Sequence, residues 1–372
     1  MKKIISVFLL CALLVAVLLS AVSCGSVNDE IPAELLRGEY TRDLEGTTLK
    51  VFNWGEYLSL GQDGSLHVNA AFEKLTGIKV QYSNYDDNET MYSDLVSGAN
   101  YYDIIIPSDY MIERLIREDR LEKIDVAGLS NYDLIDEKYK NLYFDPENSY
   151  SVPYNVGMVG LVYNTTMVEG EIDSWEALWD EAYSGQILMF GNPRDAFAIA
   201  QAILGQDFNT TDSADWDAAA DLLKQQIPVL QDHVMDEVFN KMEGGNAALA
   251  PYYAGDCMLM QENNSDLAFV YPKEGVNIFC DSVCIPKGCQ NYEAAILYMN
   301  FLMEPEVALA NAETICYASP NTAVVSNENY TYKDSEILYP AEEDMPKVQW
   351  FHDMDEDTVN YYERLWVDVK NS

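Results

Sequence analysis

A short motif of aromatic and acidic residues near position 54 has the clearest potential for ligand chemistry. The run from Val51 to Tyr57 is Val-Phe-Asn-Trp-Gly-Glu-Tyr, and it follows directly from a strand candidate. Ligands of open α/β sheets bind at the carboxyl ends of strands. An ammonium group gains about 0.5 to 2 kcal/mol over an aromatic face, and a carboxylate attracts it as well. Trp54, Glu56 and Tyr57 are therefore candidate ligands of an organic cation.

Histidine, the residue most often used in acid–base and metal chemistry, is scarce in this sequence. The chain contains only three histidines, His67, His233 and His352. We find no Gly-rich phosphate loop, no Gly-x-Ser-x-Gly elbow and no histidine pair at metal-binding spacing. Lone carboxylates can still serve an enzyme, so an enzyme stays as an alternative. We predict a binding protein that is not an enzyme and that uses no metal and no cofactor.

The elements that must position these residues alternate between short β-rich runs and amphipathic stretches, which predicts α/β layers with mostly parallel strands. The strand candidates are 48–53, 78–82, 103–107, 157–163, 187–190, 267–271 and 279–285. The helix candidates are 68–75, 89–97, 174–182, 194–204, 214–226, 236–242 and 292–303. Ser174 and Ser213 are candidate helix N-caps, and Gly77 is a candidate helix stop.

The N-terminus indicates export. Lys2 and Lys3 precede an apolar run over 4–19, which is typical of a secretory signal. The run ends in small residues before Cys24, as a lipoprotein signal peptidase requires. We predict a signal peptide over 1–23, a lipid on the sulfur of Cys24 and a tether over 24–47. An ordinary cleaved signal and a single membrane anchor are the alternatives.

This interpretation predicts an extracytoplasmic protein. It would be anchored to the outer face of the cell membrane, which is the periplasmic side in a Gram-negative cell, and the lipid would be its only membrane contact. The net charge is −40, and residues 1–23 hold two lysines and no acids, so the mature chain carries −42. Such a chain repels nucleic acid and attracts cations, although much of the charge is also explained by solubility outside the cell. We expect a monomer without a nucleic-acid partner.

Chain length predicts two lobes, because the roughly 325 residues after the tether exceed what one hydrophobic core usually supports. Five cysteines follow Cys24 in the sequence. Their number is odd and their spacing is not that of a zinc site, so we expect buried thiols and leave one disulfide open. They are Cys257, Cys280, Cys284, Cys289 and Cys316.

From position 48 onward the sequence resembles the bacterial spermidine/putrescine-binding proteins, whose first strand ends in a motif similar to that at 51–57. Further similar motifs follow in the same order. They lie at 85–92 (Tyr-Asp-Asp-Asn-Glu-Thr-Met-Tyr), 103–110, 151–154, 174–175, 271–275, 281–282 and 312–321. Each motif alone is weak evidence, whereas their ordered succession over most of the mature chain is specific.

The resemblance implies an α/β, two-lobed type II periplasmic-binding fold with crossover hinge strands, which closes on its ligand. By analogy, lobe 1 is 48–157 plus 281–325, and lobe 2 is 158–280 plus 326–372. The implied ligand is a polyamine, putrescine or spermidine, and the implied partners are the permease subunits of an ABC importer. A binding protein for another small cationic solute or an amino acid, and a polyamine sensor on the same fold, are the alternatives.

The resemblance also assigns cleft residues in both lobes. Carboxylates would bind the ammonium groups, and aromatic rings would pack on the methylenes between them. In lobe 1 the assigned residues are Trp54, Glu56, Tyr57, Ser108, Tyr110, Asp281 and Tyr317. In lobe 2 they are Asp195, placed in the turn before a helix, with Tyr253, Asp256 and Phe279.

Three positions depart from the family pattern. Gly55 stands where relatives have Thr or Ser, Asn192 where spermidine-binding members have Asp, and Phe351 where a polar group is found. Asn192 and Phe351 remain candidate ligand residues. The departures leave open which length and charge of ligand the site prefers. The segment 88–90 is interpreted as a helix cap rather than a ligand contact, because Asn is a strong cap.

Overall fold

The computed structural model describes residues 27–372, so the predicted signal peptide and Cys24 lie outside the described residues. The strands in this range are β1 (Thr48–Trp54), β2 (Lys79–Tyr85), β3 (Ile104–Ile105), β4 (Ser151–Asn164), β5 (Ile187–Phe190), β6 (Leu230–Val234), β7 (Leu249–Tyr253), β8 (Leu267–Val270), β9 (Val276–Cys284) and β10 (Val348–Trp350). All of them belong to one sheet, in which β2-β1-β3-β9-β4-β7-β5-β6 are neighbours, β10 pairs with β9 and β8 pairs with β4.

Helices cover both faces of this sheet. They are α1 (Val68–Thr76), α2 (Asn88–Ser97), α3 (Asp109–Arg117), α4 (Pro193–Leu204), α5 (Ser213–Gln226), α6 (Glu237–Glu243), α7 (Ala254–Asn263), α8 (Tyr292–Leu302), α9 (Pro305–Ile315), α10 (Thr322–Val325) and α11 (Glu356–Lys370). The helix predicted over 174–182 is instead two 3-10 helices, Trp175–Trp179 and Glu181–Tyr183.

Two long antiparallel strands connect the halves of the sheet. Strand β4 pairs with β9 up to Met158 and with β7 from Val159 onward. Its 14 residues span roughly 46 Å at about 3.3 Å per residue, which is long enough to cross both halves. The outer strands on each side are parallel, as expected, whereas β4 and β9 are antiparallel to each other. The predicted residue boundaries of the two lobes stay a prediction.

Side-chain alternation along β1 supplies two hydrophobic cores. Leu49 and Val51 face one core together with Phe72 of α1 and Tyr298 of α8. Phe52 faces the opposite side and joins a second core that continues through β9 into the other half of the molecule. Because successive strand residues point to opposite faces, β1 packs against side chains on both sides of the sheet. Packing on both faces therefore fixes the position of the end of β1, and with it the position of the residues that follow.

Local signals near helix ends were partly confirmed. Gly77 ends α1 in the left-handed conformation (φ 74°), and the Ser174 side chain accepts a hydrogen bond from the Glu176 N–H. The prediction for Ser213 was wrong, since it is the first helical residue and Asp212 caps α5 by accepting from the Ala214 N–H. Aspartate caps as well as serine does, so the local sequence does not separate the two.

Strand β7 was not predicted. It contains Pro251, a residue that lacks an N–H and is normally confined to sheet edges. The structure nevertheless places β7 in the interior of the sheet, between β4 and β5. Its position matters because Tyr253, the last residue of β7, is one of the predicted ligand residues. Strands β6 and β10 and helices α3, α7, α9, α10 and α11 were also missed.

The segment before β1 is folded against the protein, which corrects part of the tether predicted over 24–47. The buried Glu304 carboxylate accepts hydrogen bonds from the backbone N–H groups of Arg37 and Gly38 and from the Tyr40 hydroxyl. An ion pair between Arg37 and Asp133 adds to this attachment. A buried carboxylate is tolerated only where donors satisfy it, so residues 37–40 belong to the folded protein.

Cysteine pairing and membrane spans can be assessed for residues 27–372. The five cysteines of this range are unpaired; four are buried and Cys289 is half-buried. None of the helices in the described part of the chain has the length and apolar composition needed to cross a bilayer.

The contact between β4 and β9 at Gly157 can be tested by adding a methyl group. In Gly157→Ala the new Cβ would lie 2.3 Å from Cζ of Phe279, so the ring must move. Overpacking of this kind lowers the free energy of unfolding by about 1 to 3 kcal/mol, measurable by urea denaturation. Gly128→Ala is the control, because its nearest atom would be Asp125 Oδ2 at 3.9 Å. Equal unfolding free energies for the two variants would contradict the prediction.

Candidate functional site

The end of β1 directs two aromatic rings toward the region where the halves of the sheet meet. Trp54, the last strand residue, donates from Nε1 to the Ile106 carbonyl at 2.8 Å. Glu56 then adopts a left-handed backbone (φ 50°), a conformation that costs a non-glycine residue about 1 to 2 kcal/mol. This turn sends Tyr57 back into the protein, where it is buried, while Glu56 stays exposed at the rim. Glu56 makes no hydrogen bond in the described structure.

Three of the predicted carboxylates each accept a hydrogen bond from a predicted tyrosine. The donor and acceptor pairs are Tyr57 with Asp281 at 2.6 Å, Tyr253 with Asp195 at 2.9 Å, and Tyr317 with Asp256 at 3.1 Å. Burial raises the pKa of all three phenols well above 10, so they remain protonated and donate. A phenol is a neutral donor, so these bonds orient the carboxylates and leave their negative charge in place.

Asp281 lies on β9, opposite Asn155 of β4. Its Oδ2 accepts from Tyr57, whereas Oδ1 is buried without a hydrogen-bond partner among the described residues. Burial raises the pKa of Asp281 to about 6, and the hydroxyl groups of Tyr57 and Ser108 oppose this rise. An unpaired buried acceptor of this kind calls for a donor from a ligand.

Asp195 is the third residue of α4 and lies in its first turn, rather than in the turn before the helix. Asn192 caps this helix by accepting from the Arg194 N–H, and it donates from Nδ2 to Asp195 at 2.9 Å. Burial raises the pKa of Asp195 to about 6, while Tyr253 and the positive charge of Arg194 oppose the rise. Asn192 is thus a neighbour of the carboxylate and contributes no charge of its own.

Asp256 occupies the first turn of α7 and meets Tyr317 from the other half of the molecule. Gly255 permits this contact, since a Cβ there would lie 2.3 Å from the Tyr317 ring. Burial raises the pKa of Asp256 to about 7, opposed by the Tyr317 hydrogen bond and reinforced by the charges of Asp236 and Glu56. The residue keeps some solvent access although protein surrounds its carboxyl group, as expected at the wall of a narrow cleft.

Aromatic rings connect the three carboxylates into one row. The centroid of Tyr317 is 5.7 Å from that of Tyr57 and 6.0 Å from that of Phe279. Phe279 is in turn 5.7 Å from Tyr253, edge to face, and Trp54 is 6.5 Å from Tyr57. Such separations are those of contacting aromatic pairs. The row therefore runs from the end of β1 to the end of β7, with carboxylates at intervals along it.

The other predicted residues lie beside this row. Ser108 precedes α3, and Tyr110 lies in its first turn. Phe351 is buried, with its ring 6.4 Å from that of Tyr110 and the Arg194 guanidinium 4.6 Å from its centre. Phe351 thus packs between Tyr110 and Arg194 inside the protein. The structure brings every predicted cleft residue into one region, with Glu56 at its rim.

The segment 88–90 behaves differently from its prediction as a helix cap. Asp87 caps α2 by accepting from the Thr90 N–H, which leaves Asn88 and Glu89 for other contacts. Asn88 donates from Nδ2 to the Ser108 and Tyr110 hydroxyl oxygens, both at 3.1 Å. Glu89 accepts from the Tyr110 hydroxyl at 3.0 Å. Asp87 and Asn88 are adjacent capping residue types, so the sequence could not decide between them.

Positive charge is nearly absent from the site. Within residues 27–372, no ion pair involves Glu89, Asp195, Asp256 or Asp281, and no group of three potential metal ligands is present. Arg194 is buried, and its guanidinium donates to Asn209 and to the His352 carbonyl. Buried carboxylates without counterions are costly, so the site favours a cationic ligand.

Comparisons with known proteins find relatives that cover most of this chain. Residues 68–338 match the family described as bacterial extracellular solute-binding protein. The spermidine/putrescine-binding periplasmic protein of Salmonella typhimurium is 34% identical over 328 residues, which cover 86% of this chain and 92% of that protein. The putrescine-binding periplasmic protein of Escherichia coli is 27% identical over 347 residues, with coverages of 88% and 92%.

Solved structures are similar over the same range. The spermidine/putrescine ABC transporter substrate-binding protein of Streptococcus pneumoniae has a TM-score of 0.76 and 32% identity, covering 88% of this chain and 99% of that one. A lipoprotein of Treponema pallidum has a TM-score of 0.77 and 25% identity, with coverages of 87% and 99%. These similarities confirm the predicted two-lobed α/β fold.

The raised pKa of Asp256 predicts a pH-dependent stability. Between its ordinary pKa of 3.8 and about 7, the folded protein binds a proton that the unfolded chain has released. This contribution to stability is full below pH 4 and is lost as the pH rises through 7. Asp256→Asn removes the penalty at high pH, so Tm without ligand should rise at pH 8 by about 2 °C or more and change little at pH 4.

Calorimetry at both pH values measures this difference. Asp86→Asn is the matched control, since Asp86 is exposed and makes no hydrogen bond in the described structure. An equal shift of Tm at pH 4 and pH 8 in Asp256→Asn would contradict the assignment.

Proposed function

The chain belongs to the bacterial extracellular solute-binding proteins, and on that premise we propose that it binds a linear polyamine between its lobes and passes it to an ABC importer. The observation that carries the proposal is the row of tyrosine-bound carboxylates along one aromatic wall. A polyamine is a string of ammonium groups separated by methylenes. Its charges match the carboxylates, and its methylenes match the rings between them.

Electrostatics supports this match. An ammonium about 4 Å from a carboxylate gains a Coulomb energy of roughly 4 kcal/mol at an effective dielectric constant near 20, before desolvation is subtracted. The unpaired Oδ1 of Asp281 offers an acceptor that no described residue satisfies. Phenol donors hold the carboxylates in place without neutralising them, so the ligand gains most of the available attraction. Several such contacts together suffice for micromolar binding, about −8.2 kcal/mol.

The relatives' names point to the same ligand class. The Salmonella protein is named for spermidine and putrescine, and the Escherichia coli protein for putrescine. A relative from Pseudomonas aeruginosa, which is 26% identical to this chain, is named for putrescine and cadaverine. Linear polyamines are common to all three names, and that shared chemistry is what the carboxylate row of this chain fits.

An amino-acid ligand fits the site less well. It needs a cationic group for its carboxylate, and Arg194 is the basic residue nearest to the predicted ligand residues. Its guanidinium already contacts Asn209, Phe351 and a backbone carbonyl. Catalysis has no observation in its favour, so we propose that this family member acts by binding alone.

Membrane attachment and assembly belong to the same proposal. We infer that Cys24 carries lipid, that the protein works as a monomer on the outer face of the membrane, and that permease subunits receive the ligand. The similarity to a Treponema pallidum lipoprotein supports the anchor. The folded segment at residues 37–40 shortens the free linker, which would keep the protein close to the membrane.

The ligand class is tested by calorimetric titration with putrescine, cadaverine, spermidine and an amino acid. We expect the polyamines to bind with micromolar or tighter affinity, and Asp281→Asn to weaken that binding at least about tenfold, or 1.4 kcal/mol. Asp86→Asn, an exposed charge change outside the row, should leave affinity within about twofold of wild type. Unchanged polyamine affinity in Asp281→Asn would show that the site is assigned wrongly.

The anchor is tested in cells. Cys24→Ser should release the protein from the membrane fraction and remove the lipid from its mass spectrum, because the sulfur is the proposed attachment point. Cys11→Ser, within the apolar run, is the control and should leave both readouts unchanged. If the Cys24→Ser protein stays in the membrane fraction with unchanged mass, the anchor lies elsewhere.

A further inference from the structure

Glu89 repeats the arrangement of the three predicted carboxylates. Each of those accepts a hydrogen bond from a tyrosine that lines the cleft, and Glu89 accepts one from Tyr110 at 3.0 Å. Tyr110 was predicted as a ligand residue, whereas Glu89 was not. Glu89 is therefore the fourth carboxylate that accepts a hydrogen bond from a predicted ligand tyrosine, and it comes from the start of α2.

The neighbours of Glu89 hold it at the cleft. Asn88 donates to both Ser108 and Tyr110, and the Ser108 N–H donates to the Asn88 side chain at 3.2 Å. These bonds attach the start of α2 to the start of α3. Asp87 supplies the helix cap, so Glu89 is not needed for that purpose.

Glu89 retains acceptor capacity. No ion pair within residues 27–372 includes it, and Tyr110 is a neutral donor. Its surface is exposed, yet burial is the largest cause of its raised pKa. Solvent exposure together with a pKa raised by burial is expected for a carboxylate on the wall of a cleft, where solvent reaches the group but protein surrounds it.

The charge of Glu89 acts across the cleft. It raises the pKa of Asp195 and that of Tyr362 on α11, both in the other half of the molecule. At that end of the row Asn192 is uncharged, and Arg194 partly offsets Asp195. Glu89 is therefore the carboxylate whose charge is least compensated there.

Resting on the proposed polyamine function, we propose that Glu89 is a ligand residue that binds the ammonium group at the Asp195 end of the row. It supplies from lobe 1 the negative charge that Asn192 lacks in lobe 2. An ammonium between Glu89 and Asp195 would also relieve the repulsion between two carboxylates that face each other from different lobes. An ammonium bound at Glu89 would thereby also favour closure of the lobes.

The experiment is a calorimetric titration of the mature protein with putrescine and spermidine. Glu89→Gln should weaken the binding of both at least about fivefold, while Asp86→Asn, which removes a nearby exposed charge, should stay within about twofold of wild type. Because Asp87 caps α2, Glu89→Gln should keep this helix folded, with a ligand-free Tm no lower than that of Asp86→Asn. Equal polyamine affinities for Glu89→Gln and Asp86→Asn would overturn the proposal.

A second variant separates binding from positioning. Tyr110→Phe removes the hydroxyl donor and leaves the Glu89 carboxylate, so it should lose less affinity than Glu89→Gln. If Glu89 only holds Tyr110 in place, the two variants will lose the same affinity and the proposal is wrong. In the double variant Glu89→Gln with Asp195→Asn, the loss should be smaller than the product of the single losses, because both groups contact one ammonium. Multiplicative losses would overturn the shared contact.

The failure of this proposal is distinguishable from failure of the polyamine function. If wild type binds polyamines and Asp281→Asn does not, the function stands whatever Glu89→Gln does. If wild type binds no polyamine, the function itself fails and the role of Glu89 fails with it.

Discussion

The hydrogen bond from a neutral tyrosine to a buried carboxylate is the interaction on which this site depends. It fixes the direction of each carboxyl group and satisfies one of its oxygens, but it does not cancel the charge. Burial then raises the pKa of Asp281 and Asp195 to about 6 and of Asp256 to about 7. The empty site thus holds negative charge at a cost, and a multivalent cation removes that cost.

The two crossover strands make this arrangement available to both lobes. Strands β4 and β9 run side by side through the middle of the sheet, and Phe279 and Asp281 project from β9 at the meeting point. Glycines allow the close contacts, since a side chain at Gly157 or Gly255 would collide with the Phe279 or Tyr317 ring. The aromatic wall therefore depends on the close backbone packing at these glycines as well as on the aromatic residues themselves.

The charge distribution connects binding with closure. By the predicted boundaries, Asp195 and Asp256 belong to lobe 2 and Asp281 and Glu89 to lobe 1, which would place like charges in both lobes. Their repulsion opposes closure, and an ammonium chain between them reverses the sign of the interaction. Among the described residues, Arg194 is the cation next to Asp195, and its guanidinium contacts Phe351 and Asn209. A cationic ligand would supply the positive charge that these carboxylates lack.

The sequence by itself determined the α/β class and the positions of most strands, because side-chain periodicity is a local property. Its ordered motifs also assigned a set of tyrosines and aspartates, which the structure brings into one region. Tertiary structure alone decided which tyrosine bonds to which carboxylate, since Tyr57 and Asp281 are 224 positions apart. It also decided that Asp87 rather than Asn88 caps α2, which frees Glu89, and that β7 crosses the sheet interior despite Pro251. The sequence cannot distinguish the roles of neighbouring residues that have similar propensities. Only their contacts in the folded chain decide which residue takes which role.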